Sequence, residues 1–197
     1  MPEHAAPQST ETVHQGVADL VEHLSCARAP AQVVTASVRL VELIQHDGTA
    51  TQEGIRAAGG VRSAVFLLKL SQAAGNHGIA SAASRLLLHL ARDNPGNQDE
   101  ICSLACIPCL VDVALSLRLE NTRPRSRSCS PGRELTEAVQ SAVAALGVLA
   151  ARHARPIARA GGIEASRRLS NLRASLQLRS HPAPHLPSVS VHILCTC

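Results

Sequence analysis

The chain has 197 residues, a formal net charge of +4 and almost no aromatic side chains: Phe66 is the single Phe, and Trp and Tyr are absent. This composition excludes aromatic stacking platforms for single-stranded nucleic acid and aromatic cages for quaternary ammonium groups. It also disfavours β-sandwiches and β-barrels, which depend on aromatic and β-branched residues. Ala (31) and Leu (25) are strong helix formers and together fill 56 positions, so the composition predicts an all-α fold.

The charge is distributed unevenly along the chain. Residues 1–117 carry 7 basic and 11 acidic side chains, whereas residues 118–133 and 134–197 each carry a net charge of +4. The polar N-terminus has no signal-peptide pattern, and no apolar run approaches the roughly 20 residues of a membrane span. Seven scattered cysteines favour free thiols in a reducing compartment. We therefore expect a soluble cytoplasmic protein, with the nucleus as the alternative.

The N-terminal part is predicted to contain two helices. A polar stretch at residues 1–10, which we expect to be disordered, precedes a helix at residues 11–28. Ala29-Pro30 interrupts the helical pattern, because Pro lacks the N–H that a helix interior needs. A longer helix is predicted at residues 31–46.

The chain contains an internal repeat. Residues 36–61 align with residues 82–107 at an offset of 46 positions. A third copy at residues 142–163 ends in IARAGGI, which matches IRAAGGV at the end of the first copy. A basic, Ser-rich insertion at residues 118–133 explains the longer spacing before the third copy. The identical pairs are Ala36/Ala82, Arg39/Arg85, Leu40/Leu86, Asp47/Asp93, Gln52/Gln98 and Ile55/Ile101.

The middle copy shows how each unit is organised. Its long helix, at residues 79–91, has an apolar face at positions i, i+3, i+4 and i+7. A loop at residues 93–97 and a short helix at residues 98–104 follow, and a further helix starts near Pro108. The corner before that helix is Ala105-Cys106 instead of Gly-Gly, so we expect it to be wider. The apolar face consists of Ala83, Leu86, Leu87 and Leu90.

This layout and its sequence resemble armadillo repeats. The resemblance rests on LARDNPGNQDEICSLACIPCLVDVAL and on the two Gly-Gly corners, and it covers residues 17–178, about three and a half repeats. It implies an all-α, right-handed α-solenoid of three-helix repeats. Residues 11–180 would form the repeat domain, with 118–133 as an inserted loop and 181–197 as a disordered Pro-, His- and Cys-containing tail. The third-helix Trp and Asn of nuclear-import receptors are absent.

No catalytic or metal-binding motif is apparent. Cys102, Cys106 and Cys109 lack a fourth ligand nearby, and small apolar packing explains them better than a zinc site does. A second His/Cys cluster, within residues 192–197, lies in the predicted tail and is explained equally well by disorder. Neither a nucleophile motif nor a Gly-rich phosphate loop after a strand is present. We therefore predict a protein that is not an enzyme and uses no metal or cofactor.

The resemblance implies a concave groove lined by the third helix of each repeat. Within each helix the two aligned positions are i and i+4, so their side chains share a face. Arginine forks at the first position suit carboxylates or phosphates on an extended partner. The alternative is a solvated arginine that pairs with a local acid such as Glu42 or Asp47. The groove positions are Arg39 and Leu43, then Arg85 and His89, then Ala144 and Val148.

The insertion is a second candidate site. It contains Ser126, Ser128 and Ser130 close to arginines, and Ser130 precedes a proline as in targets of proline-directed kinases. Phosphorylation of these candidate sites would reverse the charge of the loop. The alternatives are an ordinary solvated loop, or RNA binding through the arginines at residues 123–127.

The predicted function is that of a non-enzymatic scaffold or adaptor that binds an extended partner segment along the groove. That segment would be acidic or phosphorylated. One alternative is a nucleic-acid- or membrane-associated factor that uses the basic C-terminal half. Another is a regulatory fragment of a larger multidomain protein.

Overall fold

A computed structural model describes residues 10–26, 29–116, 131–165 and 167, and within these ranges it is helical with no strand. The predicted all-α class is therefore confirmed. Helical backbone resumes at residues 162–165 after the last long helix. The helices are α1 (Thr10–Cys26), α2 (Pro30–Asp47), α3 (Thr49–Ala57), α4 (Gly60–Ala74), α5 (His77–Ala91), α6 (Pro95–Ser103), α7 (Cys106–Leu115) and α8 (Pro131–Arg159).

Two helices begin at a proline and include residues that the sequence assigns to a loop or to the insertion. The side chain of Asn94 accepts a hydrogen bond of 3.0 Å from the backbone N–H of Asn97, which caps α6. Pro95 then occupies the first turn, where its missing N–H costs nothing. Residues 95–97 are therefore helical, and the predicted loop at 93–97 is wrong in that part. Pro131 likewise starts α8, so the last residues of the proposed insertion belong to a helix.

The same sharp corner occurs three times. Gly59, Ala105 and Gly161 each have a left-handed backbone, with φ of 83°, 53° and 91°. Their N–H groups donate to the carbonyls three residues earlier at 2.9, 3.1 and 3.2 Å. Ala105 thus adopts the same turn as the two glycines, and the wider corner predicted for the middle unit is wrong. The cost of placing Ala in this conformation is about 1–2 kcal/mol.

Helix α5 lies at the centre of the described structure. It packs against α2 on one side and α8 on the other, and it also contacts α4 and α6. Its predicted inward face is confirmed, because Ala83, Leu86, Leu87 and Leu90 are fully buried. In the same way α4 packs against both α1 and α7, and α6 against α3 and α8. The helices therefore meet their counterparts in neighbouring units.

Buried amides fix the end of α5. The last carbonyls of a helix have no partner within that helix, and here side chains supply the missing donors. The side-chain amide of Asn97 donates to the carbonyl of Leu90 at 2.9 Å, and that of Gln98 donates to Ala91 at 2.8 Å. Gln52 of α3 reaches the same region from the preceding unit.

Helix α8 is interrupted at His153, where φ is −124° and ψ is 37°. Pro156 follows three residues later and cannot continue the regular hydrogen-bond ladder, which accounts for the break. His153 Nε2 lies 3.0 Å from a carboxylate oxygen of Asp99 on α6, and Arg152 lies 3.5 Å from the other oxygen. The broken helix is thereby held against the preceding unit.

One stretch of α8 meets the criteria of a membrane-spanning helix. By length and composition, Arg133–Arg159 is apolar enough to cross a bilayer, and 44% of its apolar window is buried within the structure. A core helix of a soluble protein meets the same criteria. Polar residues interrupt the apolar residues of this stretch. A search for uninterrupted apolar runs therefore does not identify it as a membrane span.

Candidate functional site

The burial pattern of the three long helices fixes their register. Buried positions of α2 recur in α5 at an offset of 46 residues, and those of α5 recur in α8 at an offset of 59 residues. The first groove position of each helix is therefore equivalent to the first position of the other two helices, and the same holds for the second position. Leu43, His89 and Val148 are all half-buried at the second of these positions. The buried sets that define the register are Leu40, Val41 and Ile44; Leu86, Leu87 and Leu90; and Ala145, Leu146 and Leu149.

The arginine on α2 has a local partner. Arg39 is 69% exposed, and its guanidinium lies 3.0 Å from the carboxylate of Glu42 on the same helix. This is the alternative that the sequence left open for this residue. An exposed pair of this kind contributes about 0–1 kcal/mol, so a better anionic ligand can replace it.

The arginine on α5 has no such partner. Arg85 is exposed one turn before His89, and Arg92 is exposed about one turn after it. In the described part of the chain, neither Arg85 nor Arg92 forms an ion pair with a carboxylate. Arg85 and His89 are at positions i and i+4 of one face of α5, and Arg92 is the C-cap residue directly after the helix. The charges of both arginines act on His89. Sequence reasoning did not select Arg92, although its spacing from His89 and its alignment with His46 were available signals.

These three basic residues influence one another. Burial lowers the pKa of His89 below its ordinary value of 6.5, and the charges of Arg92 and Arg85 lower it further. His89 is therefore a predominantly neutral imidazole at pH 7 with positive charge on both sides. On α2, by contrast, a hydrogen bond to Asp47 and its negative charge raise the pKa of His46.

The groove positions on α8 carry no charge. Ala144 and Val148 are half-buried and pack against the edge of the core. Because α5 lies between α2 and α8, the basic residues of α5 have half-buried apolar side chains on the helices at either side. The structure therefore places the six predicted groove residues on three adjacent helices, with the unpaired charge on the middle one.

The cysteines of the middle unit are protonated at neutral pH. Burial raises the pKa of Cys102 to about 11 and that of Cys106 to about 12, and it also raises the pKa of Cys109. Thiols with such values are poor nucleophiles and poor metal ligands. Within the described residues, no group of three or more His, Cys, Asp and Glu side chains could hold a metal ion.

Several candidate sites lie outside the described residues. Ser126, Ser128 and Ser130 fall between residues 116 and 131, together with most of the proposed insertion. The His/Cys cluster and the tail at residues 181–197 also fall outside the described ranges.

The pKa of His89 predicts a pH-dependent stability. Folding disfavours the protonated imidazole, so the folded state should lose stability as the pH falls below about 6.5. We expect His89→Gln to show a smaller decrease in Tm between about pH 7.5 and pH 5.5 than the parent chain. His46→Gln is the control, because Asp47 raises the pKa of His46; removing this histidine should therefore not reduce the decrease in Tm at low pH. Equal pH dependence of the parent and His89→Gln would contradict this assignment.

The arrangement suits the binding of an anionic group. Two exposed guanidinium groups flank a half-buried imidazole, and all three can donate hydrogen bonds when protonated. The surface around them is apolar at the same register. Comparisons of the chain with family models, with curated proteins and with solved structures give no match.

Proposed function

We propose that this chain is a non-enzymatic scaffold that binds an extended, negatively charged segment of a partner protein across α2, α5 and α8. The carrying observation is the set of basic residues formed by Arg85 and His89 on the central helix and Arg92 at its C-terminal cap. Their positive charge is not balanced by an ion pair in the described part of the chain.

The proposed architecture is an α-solenoid of armadillo-like repeats with a right-handed superhelix. The recurring burial pattern of α2, α5 and α8 supports it, as does the sharp corner that occurs three times. The packing of each helix against its counterparts in neighbouring units supports it as well. Repeats that contact only their neighbours build long, continuous surfaces, and extended segments bind well on such surfaces.

The proposed ligand follows from the charge of the surface. Exposed guanidinium forks on α5 bind carboxylates and phosphates in a bidentate manner. Arg39 on α2 can exchange its solvent-exposed partner Glu42 for an acidic group of the ligand. Leu43 and Val148 provide half-buried apolar contacts on either side.

The test is binding of short acidic peptides to the full chain, measured by fluorescence anisotropy. We expect Arg85→Ala combined with Arg92→Ala to weaken binding by about tenfold or more, because hydrogen bonds to charged groups contribute about 1.5–3 kcal/mol each. Affinity should also decrease as salt is raised. Arg159→Ala, at an exposed arginine near the end of α8, is the matched control and should bind like the parent. Unchanged affinity of the double variant would contradict the proposal.

A further inference from the structure

We propose that the bound segment carries a phosphorylated residue whose phosphate lies between Arg85 and His89 of α5 and Arg92, the residue that directly follows α5. This inference rests on the proposed function and specifies the chemistry of its ligand. It also yields the spacing of apolar residues on either side of the phosphate.

The charge of the cluster favours a phosphate over a carboxylate. Arg85 and Arg92 contribute two positive charges, and His89 adds a third when it is protonated. A carboxylate carries one negative charge, whereas a phosphorylated side chain carries about −1.5 to −2 and three strong acceptor oxygens. The donors grouped at the C-terminal end of α5 therefore match one phosphate better than one carboxylate.

The position of His89 supports the same ligand. The imidazole is half-buried between two arginines, and burial together with their charges lowers its pKa. A phosphate bound at this point would offset the two positive charges and stabilise the imidazolium, which then becomes an additional donor. Binding of the phosphate and protonation of His89 would favour each other.

The neighbouring helices indicate a single anionic group rather than a long acidic run. On α2, Arg39 is paired with Glu42, and His46 is paired with Asp47. On α8, the aligned groove positions Ala144 and Val148 are uncharged. Among the described residues, the unbalanced charge in this register is thus confined to α5 and its C-cap residue Arg92, and a segment with one strongly charged residue fits it better than one with many.

The distances between helices predict the spacing of the segment. Packed helices lie about 8–10 Å apart, and an extended chain advances about 3.3 Å per residue. A segment that crosses α2, α5 and α8 therefore advances by about three residues from one helix to the next. With Leu43 and Val148 at the register of His89, we expect an apolar residue about three positions before and about three positions after the phosphorylated one.

The experiment uses the full chain and synthetic peptides with a central phosphoserine and a leucine three positions away on each side. Matched peptides carry serine or glutamate at the centre, or leucines moved to one or five positions away. We expect the phosphopeptide to bind about tenfold more tightly than the serine and glutamate peptides, and moving the leucines to weaken it several-fold. Arg85→Ala and Arg92→Ala should each remove most of the phosphate preference.

Two further measurements test the position of the phosphate. His89→Gln should weaken phosphopeptide binding more than serine-peptide binding, and the NMR titration of His89 should move to higher pH when the phosphopeptide is bound. Arg159→Ala should retain the full phosphate preference. If either alanine variant has altered circular dichroism, Arg85→Gln or Arg92→Gln replaces it in the test for loss of the phosphate preference.

The outcomes separate this inference from the proposed function. If the glutamate peptide binds as tightly as the phosphopeptide and depends equally on Arg85 and Arg92, the phosphate inference is overturned while the proposed function stands. If the phosphopeptide binds but the arginine variants retain its preference, the phosphate lies elsewhere and the inference is overturned. If none of the peptides binds, both proposals are overturned.

Discussion

Replacing Gln52 with Leu should lower the free energy of unfolding by about 3 kcal/mol, because buried polar groups left without partners cost about 1–3 kcal/mol each. Gln52 is 4% exposed, and its side-chain amide donates to the carbonyls of His89 at 2.7 Å and Arg92 at 2.9 Å. Its own carbonyl accepts a hydrogen bond of 3.3 Å from the buried amide of Asn94. Leucine at this position occupies a similar volume but forms no hydrogen bond with any of these groups.

The measurement is urea unfolding of the parent, Gln52→Leu and Gln15→Leu. Gln15 is exposed, and its side-chain amide donates to Asp19 one turn away, so the control should change stability by less than about 0.5 kcal/mol. A decrease below about 1 kcal/mol for Gln52→Leu would mean that the partly buried carbonyls of His89 and Arg92 find other partners.

The same glutamine has a consequence for binding. The two carbonyls that Gln52 fixes belong to His89 and Arg92, which are two of the three basic residues of the candidate site. Gln52 therefore holds the backbone of the candidate site from the preceding unit without contributing to its surface. We expect Gln52→Leu to weaken binding of acidic peptides under conditions where the variant is still folded, and Gln15→Leu to leave binding unchanged.

Features that depend on the spacing of residues within one helix are predicted correctly from the sequence. The fully buried face of α5 follows from the spacing of Ala83, Leu86, Leu87 and Leu90, because helical period and apolar pattern coincide. The close contact of Arg39 with Glu42 is also a local, i to i+3 relationship. Both features follow from the spacing of residues within a single helix.

Features that depend on distant parts of the chain do not follow from such spacing. The hydrogen bonds from Gln52 reach residues 37 and 40 positions away, and only the identity of Gln52 and Gln98 in the aligned copies hints at a structural role. The corner at Ala105 is predicted to be wider because Ala avoids positive φ, yet packing of the adjoining helices imposes the same turn there. The unbalanced charge at Arg92 depends on which acids the fold brings near it.

Gly60→Ala should destabilise the chain by about 2 kcal/mol, within the range of about 1–3 kcal/mol for overpacked cores. A Cβ atom at this position would overlap Cγ2 of Ile55 and would lie 3.0 Å from the Ile55 carbonyl oxygen and 3.1 Å from Cγ2 of Val21. Gly162→Ala should behave similarly, because its Cβ would lie 2.8 Å from the carbonyl oxygen of Ile157. The aligned corner carries Cys106, so the backbone turn itself tolerates a side chain, and the cost at Gly60 arises from the packing of Ile55.

Gly147→Ala provides the matched control, because it makes the same chemical change with the opposite expected sign. Gly147 is exposed within α8, and no atom lies within 4 Å of a Cβ added there. Ala is favoured over Gly in a helix interior by up to about 1 kcal/mol, so this variant should be more stable than the parent. Thermal and urea unfolding of the three variants should therefore give two decreases and one increase. If Gly60→Ala were as stable as Gly147→Ala, the close contact between Ile55 and Gly60 would be contradicted. The close packing of α3 against α4, which sets the angle between these helices, would be contradicted as well.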